Sequence, residues 1–551
     1  YQHANRGKEA EAYYLPGKTI YGTQSRTYST AQTRTAAHAK FDYKPAPAHK
    51  LTWYGGYMDM KEQQVRDMAD EKSGSTRLRY THQYIFSTTL QGTHRFGSSG
   101  LELEWKGAYS KALSETPDQA EFNLTGTHIA NTGSATRRWE HNDDRDLAGH
   151  LDLRYSHGLM TYSVGGMYRD KKRGSFFNEY TFDSTTGTAN PQYRGEDWNN
   201  FDELKLKPRP YGNIGDPLNY DATEQIGAAY AMAKAKGKRW DATVGLRAEH
   251  TVQGYTLIFP RDSDPDGEQR YTDILPSAHF KYEIHPKGRL HLSYNRSVNR
   301  PSFFEIVPYT IINEDYKEKG NPDLEHTVAD NIDLRYEFFP KGSEQVMVGL
   351  FYKHLHNPIE YGLINEGQDT YYKPMNLGNA TNAGVEIDVM KYFKCFGVKA
   401  NYTFTHSRIT TSKRTMQGSE VISVNQSRPL FGQAAHVANV SLLYKSSRWH
   451  WEGQISYGYT GKRLSDISNW LDDDIWEKGY HRLDLSLEKG FPKAGITLFA
   501  KASNLLDTPV VRIVGRGDHT ATVDTPRDNG YVIERKEWHG QSFMLGLRWK
   551  L

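Results

Sequence analysis

Residues 240–249 read WDATVGLRAE, and their alternation decides the fold. Trp240, Ala242, Val244, Leu246 and Ala248 fall on one side of an extended chain. Asp241, Thr243, Gly245, Arg247 and Glu249 fall on the other. A period of two places successive side chains on opposite faces of a strand. The same pattern recurs elsewhere. Ile332, Leu334, Tyr336 and Phe338 alternate with Asn331, Asp333, Arg335 and Glu337. Leu483, Leu485 and Leu487 alternate with Asp484, Ser486 and Glu488. Leu101, Leu103, Trp105, Gly107 and Tyr109 form a further face. Each segment runs roughly 9–14 residues, enough to cross a bilayer when tilted. Soluble sandwich strands are usually nearer ~5–6 residues. The polar face carries opposed charges strand after strand, which suits a wide, wet lumen.

The connections fall into two kinds. Short turns lie at residues 44–50 (KPAPAHK), 95–100 (RFGSSG), 156–159 (SHGL), 235–238, 285–289 (HPKGR), 340–343 (PKGS), 393–397, 445–448 and 490–495 (GFPKAG). Long polar stretches alternate with them, at about 111–144, 171–220, 254–272, 299–325, 357–378, 410–433, 464–479 and 507–540. Short periplasmic turns and longer extracellular loops have this rhythm in outer-membrane barrels. The expected fold is therefore all-β, a transmembrane antiparallel β-barrel in the bacterial outer membrane. About 19 strands are counted from Ala31, and residues 1–15 are expected to add one more. The count points to the roughly 22-strand class with its first hairpin missing. The last strand, residues 540–551, presents Phe543, Leu545, Leu547, Trp549 and Leu551 outward.

Composition agrees. The chain has 551 residues, 69 Lys plus Arg against 66 Asp plus Glu, and a net charge of +3. That balance gives no reason to expect a nucleic-acid partner. Mean hydropathy is −0.77, as expected when only alternate residues meet lipid. The 37 Tyr and 11 Trp suit membrane interfaces. Cys395, the single cysteine, excludes an internal disulfide and is read as inert.

Four segments resemble the TonB-dependent receptor family, in its Bacteroidota-type form. They are NRSVNRP at 295–301, GNPDLE at 320–325, NAGVEIDV at 382–389 and TLFAKASNLLD at 497–507. They occur in the family's order, at expected strand edges, between residue 295 and the end. The resemblance implies active import of a scarce solute: an iron chelate, haem, cobalamin, a peptide or a glycan. Its implied partners are outer-membrane lipids, TonB acting through a plug, and, as a further candidate, a surface lipoprotein. The family carries that plug and a TonB box ahead of its barrel, and neither is read here. The chain is thus expected to be one barrel domain over 1–551. Two other barrel functions compete: a diffusion porin, and an adhesion, secretion or accessory component.

Candidate residues stand beside plainer readings. Trp470, Asp472, Asp473, Asp474 and Trp476 form an acidic, aromatic loop segment, and Tyr309, Tyr371 and Tyr372 form a second aromatic set. Such loops capture sugars, cationic ligands or proteins, or else simply pack as a canopy. Asp262, Asp264 and Asp266 (DSDPDG) resemble half a calcium loop, with Asp273 at its twelfth position, though Pro265 is awkward there. The plainer reading is a solvated loop tip. Arg300 and Pro301 are read as strand termination. His354 and His356 share a strand face but have no identifiable third metal ligand. No spacing marks a catalytic pair, so no enzymatic activity is expected.

Overall fold

The computed structural model describes residues 2–15, 22–97, 99–185, 206–208, 218–260, 264–312, 314–366, 369–515 and 527–550. Among these, twenty strands pair with their neighbours in chain order. They are β1 Gln2–Ala12, β2 Gln24–Ala46, β3 His49–Ala69, β4 Ser73–Phe96, β5 Leu101–Thr125, β6 Ala135–His157 and β7 Met160–Ser184. Then come β8 Tyr220–Lys236, β9 Trp240–Leu257, β10 Asp266–His285, β11 Gly288–Asn299, β12 Thr327–Phe338, β13 Gln345–His356 and β14 Ala380–Phe393. The wall ends with β15 Phe396–Gln417, β16 His436–Ser446, β17 Trp451–Thr460, β18 Tyr480–Phe491, β19 Ile496–Ser503 and β20 Ser542–Trp549. Every neighbouring pair is antiparallel. Strand Tyr531–Trp538 leads into β20 and pairs with Glu9–Ala12 of β1, joining the two ends at the extracellular rim. Below that junction no ladder links β20 to β1 or β2 among the described residues.

All nine short turns are hairpins at one end of the wall. The long connections are shorter than their polarity suggests. Residues 111–144 are mostly ladder, since β5 runs to Thr125 and β6 restarts at Ala135. Residues 254–272 and 410–433 also continue as paired strand for most of their length. β7 has 25 residues, a contour of ~80 Å at ~3.3 Å per residue, against an apolar band ~25 Å tall. Strands β16 to β20 have 8–12 residues, whereas β2 to β7, each of 21–25 residues, therefore stand well above the lipid. There both faces are wet, so alternation no longer separates strand from loop.

Proline shapes these extensions. Pro117 lies where the β5–β6 register shifts, between Thr116 and Gln119. The β10–β11 ladder stops at Ser277, beside Pro276, which has no N–H to donate.

The wall is turned inside out relative to a soluble protein. Val244 is 57% exposed, Leu246 52% and Leu545 84%, all on the face read as outward. Buried apolar residues instead gather in the extracellular connections, as in the cluster of Phe303, Ile306, Val307, Tyr309 and Leu324. One test compares faces on one strand. Leu246→Arg should cost about 2–4 kcal/mol near the bilayer midplane, while inward Thr243→Arg should cost far less. Equilibrium unfolding in lipid vesicles reads the difference, and equal costs would refute this assignment of faces.

Candidate functional site

The site grows from the bend at Arg300 and Pro301. The guanidinium of Arg300 turns inward and donates to Glu249 Oε2 at 2.5 Å and to Thr251 Oγ1 at 3.1 Å. Gln253 Nε2 donates to the Pro301 carbonyl at 2.8 Å. Strand termination at this dipeptide thus also aims the chain over the lumen. Ser302 and Glu305 form a reciprocal capping box on the short helix α1, Phe303–Ile306. Phe303 and Ile306 bury into the canopy core, with Lys171 and Arg173 over the Phe303 ring.

A hairpin follows, Thr310–Ile312 paired with Lys317–Lys319. Its tip carries Glu314, Asp315 and Tyr316, and it reaches the far side of the barrel. Asp315 lies 2.7 Å from Arg26 and 2.8 Å from Arg535. Glu314 lies 3.4 Å from both Arg26 and Arg66 and 3.8 Å from Arg77, and it accepts the Tyr28 hydroxyl. Twenty strands at ~4.8 Å spacing, tilted ~40°, give a diameter of ~40 Å. The hairpin arises between β11 and β12 and docks on β2–β4, so it is a strap across the mouth.

The strap belongs to a small sheet. Lys317–Lys319 runs parallel to Asp369–Asn376, which pairs with Ile359–Glu366, whose Gly362 and Leu363 lie beside Ile467 and Ser468. Buried ion pairs tie the flanking loops together. Arg428 grips Glu360 with bonds of 2.9 and 3.2 Å, both side chains being 2% exposed. Lys413 lies 2.6 Å from Asp474.

Burial and neighbouring charge set the protonation of the tip. Burial acts to raise the Glu314 carboxyl, but Tyr28, Arg66, Arg77 and Arg26 together hold it below its ordinary value. Burial, followed by the charge of Arg66, pushes Arg77 down to about 10. Nearby, burial raises Asp466 to about 6, against the opposing pull of Arg512 at 3.4 Å.

The residues singled out in the sequence divide. Tyr309 is buried in the canopy core and donates to Glu318 at 3.0 Å, so it is packing rather than an open aromatic face. Tyr372 stacks on Tyr361, and Tyr371 lies under Lys317 and Lys319. Asp474 is taken up by Lys413 and by the Ser468 N–H. Asp472 is exposed at φ +64°, Asp473 and Trp470 are half-buried, and Trp476 lies under Lys462. Ile475 packs in one cluster with Leu363 and Tyr372, so the two sets meet at the strap. Asp262 lies outside the described residues. Asp266 accepts from Thr256, and Asp273 pairs with His326 at 2.9 Å. Both sit on β10, seven residues and ~23 Å apart, too far to share one ion. No metal-binding group is assembled among the described residues, and His356 instead faces Asp330 at 3.8 Å. Glu314, Asp315 and their arginines went unread, because no local spacing relates residues 220 to 289 positions apart.

A sheet whose two ends join at the extracellular rim, with a lipid-facing apolar band, a polar lumen and a folded mouth, defines an outer-membrane β-barrel. The chain belongs to the outer membrane protein beta-barrel family, which it matches over residues 94–549, and it resides in the bacterial outer membrane. The fold is similar to the siderophore receptor PiuA of Acinetobacter baumannii, with TM-score 0.57 and 11% identity over 99% of this chain and 82% of that one. It is also similar to the ferric yersiniabactin uptake receptor FyuA of Yersinia pestis, with TM-score 0.53 and 12% identity over 98% and 80%. The copper transporter OprC gives TM-score 0.56 and 11% identity over 98% and 80%. No curated protein sequence matches the chain.

Two measurements test the canopy. Glu360→Gln leaves Arg428 buried and unneutralised and should cost about 3–5 kcal/mol, more than replacing both partners by apolar residues. Thermal unfolding of single and double variants checks this. Asp466 is raised, so its contribution is fullest below about pH 4 and is lost as pH rises to about 6. Asp466→Asn should therefore stabilise the protein above pH 6 and make little difference near pH 3.5, and the opposite trend would refute the assignment.

Proposed function

We propose that the protein imports a scarce small solute across the outer membrane, capturing it at the strapped extracellular mouth and passing it through the lumen. The observation that carries this reading is the strap. A polar-lined barrel closed by a folded, charge-latched segment suits selective entry, whereas a porin needs a standing aqueous path. Solved structures that share the fold are a siderophore receptor, a ferric yersiniabactin uptake receptor and a copper transporter, which supports import as the class of function.

The outer membrane holds no ATP, so a latched mouth calls for energy delivered from the inner membrane. TonB, acting through a plug domain, is the energising partner that the sequence resemblance implies. The intact wall in this reading belongs to the roughly 22-strand class, which holds a plug in its lumen. Tyr371 and the exposed parts of residues 470–476 flank the strap and would meet an arriving solute first.

Radiolabelled uptake in cells expressing the protein, with and without TonB, tests the reading across iron chelates, haem, cobalamin, peptides and glycans. One ligand should accumulate only when both proteins are present. Accumulation unaffected by loss of TonB would instead make the barrel a passive pore.

A further inference from the structure

The latch has more cationic hydrogen-bonding capacity than its carboxylates use. Arg66 and Arg77 are direct cross-strand partners on β3 and β4, and both point into the lumen. Like charges directly opposite on a ladder are destabilising unless an anion lies between them. Both residues are more than nine-tenths buried, so water does little to screen them. Arg66 also pairs with Glu121, the β5 residue opposite Arg77, at 2.5 Å and donates to Ser75 at 2.9 Å. Glu314 is the strap's anion that Arg66 and Arg77 share with Arg26, at 3.4 to 3.8 Å. Those spacings are long for charge-assisted hydrogen bonds, which run ~2.7–2.9 Å. The Nε groups of Arg66, Arg77 and neighbouring Arg79 are buried with no hydrogen-bond partner among the described residues. A cavity of 1150 Å³ adjoins the latch, lined by six arginine or lysine side chains, Arg77 and Arg79 among them, against four glutamates, Glu314 among them.

We propose that the Arg26, Arg66, Arg77 and Arg535 cluster is a recognition site for a small polyanion, and that Glu314 and Asp315 occupy it as an intramolecular substitute. The incoming solute carries at least two carboxylates or phosphates. Its oxygens replace the two side-chain carboxylates and reach the unused guanidinium donors. The tip is released, and the strap lifts from the far wall toward the extracellular side. An uncharged solute gains nothing at this site and does not open it. The inference rests on the import reading and narrows it to one ligand chemistry.

The test uses the full chain in detergent micelles. Calorimetric titration with tricarballylate and, separately, with pyrophosphate distinguishes polycarboxylate from polyphosphate. At least one should bind. The Glu314→Gln, Asp315→Asn double variant should bind it about tenfold tighter, because the competing occupant is gone. Arg77→Gln should weaken binding by a similar factor. Wild-type protein supplies a readout free of folding defects: saturating anion should speed tryptic cleavage after Lys317 and Lys319 on the released strap. Three results would each overturn the proposal: no binding of either anion, no tightening in the double variant, or cleavage unchanged at saturation. Binding without cellular uptake upholds the site and removes the import reading. TonB-dependent uptake of an uncharged solute, with no anion bound, removes the site and leaves import standing.

Discussion

Every backbone N–H and C=O inside a bilayer must find its partner within the protein, because hydrocarbon offers none. The structure follows from that constraint. It forces the chain into one continuous antiparallel ladder, and the ladder fixes which residues face lipid and which face the lumen. It also confines irregular backbone to the two ends. At the periplasmic end the connections reduce to tight hairpins. At the other end the ladder outruns the membrane, and the extra length becomes scaffold for a folded mouth.

The mouth is held by a different physics. Carboxylates and guanidinium groups are placed where water is scarce, at Glu314 and Asp315 on the strap and Glu360 with Arg428 between loops. Removing such groups from water is costly, and their mutual attraction only offsets the cost when geometry is good. An apolar seal would be simpler if permanent closure were the requirement. A charged latch can be exchanged for another set of charges, and this suits a mouth that has to open. The apolar residues around α1 serve a complementary purpose, anchoring the base of the strap while its tip rests on ionic contacts.

Buried charge at the rim also accounts for the division among the aromatic candidates. Tyr309 and Tyr372 are absorbed into the sheet that carries the strap, one bonded to Glu318 and the other stacked on Tyr361. Tyr371, between lysines, and the segment around Trp476 sit at its margin. An aromatic-rich loop here is partly structural canopy and partly accessible surface, and local sequence does not separate the two.

The sequence by itself determined the wall. A period of two along residues 240–249 and 331–338, interrupted at nine short turns, is a local property and survives without any knowledge of neighbours. It overestimated the loops, because polar residues on both faces of a strand above the membrane look the same as coil. What only the tertiary structure decided was the mouth. Arg26, Arg66, Arg77 and Arg535 come from opposite ends of the chain, and Glu314 and Asp315 from its middle. Barrel closure brings them together, and no pattern within a single segment encodes a contact made across its diameter.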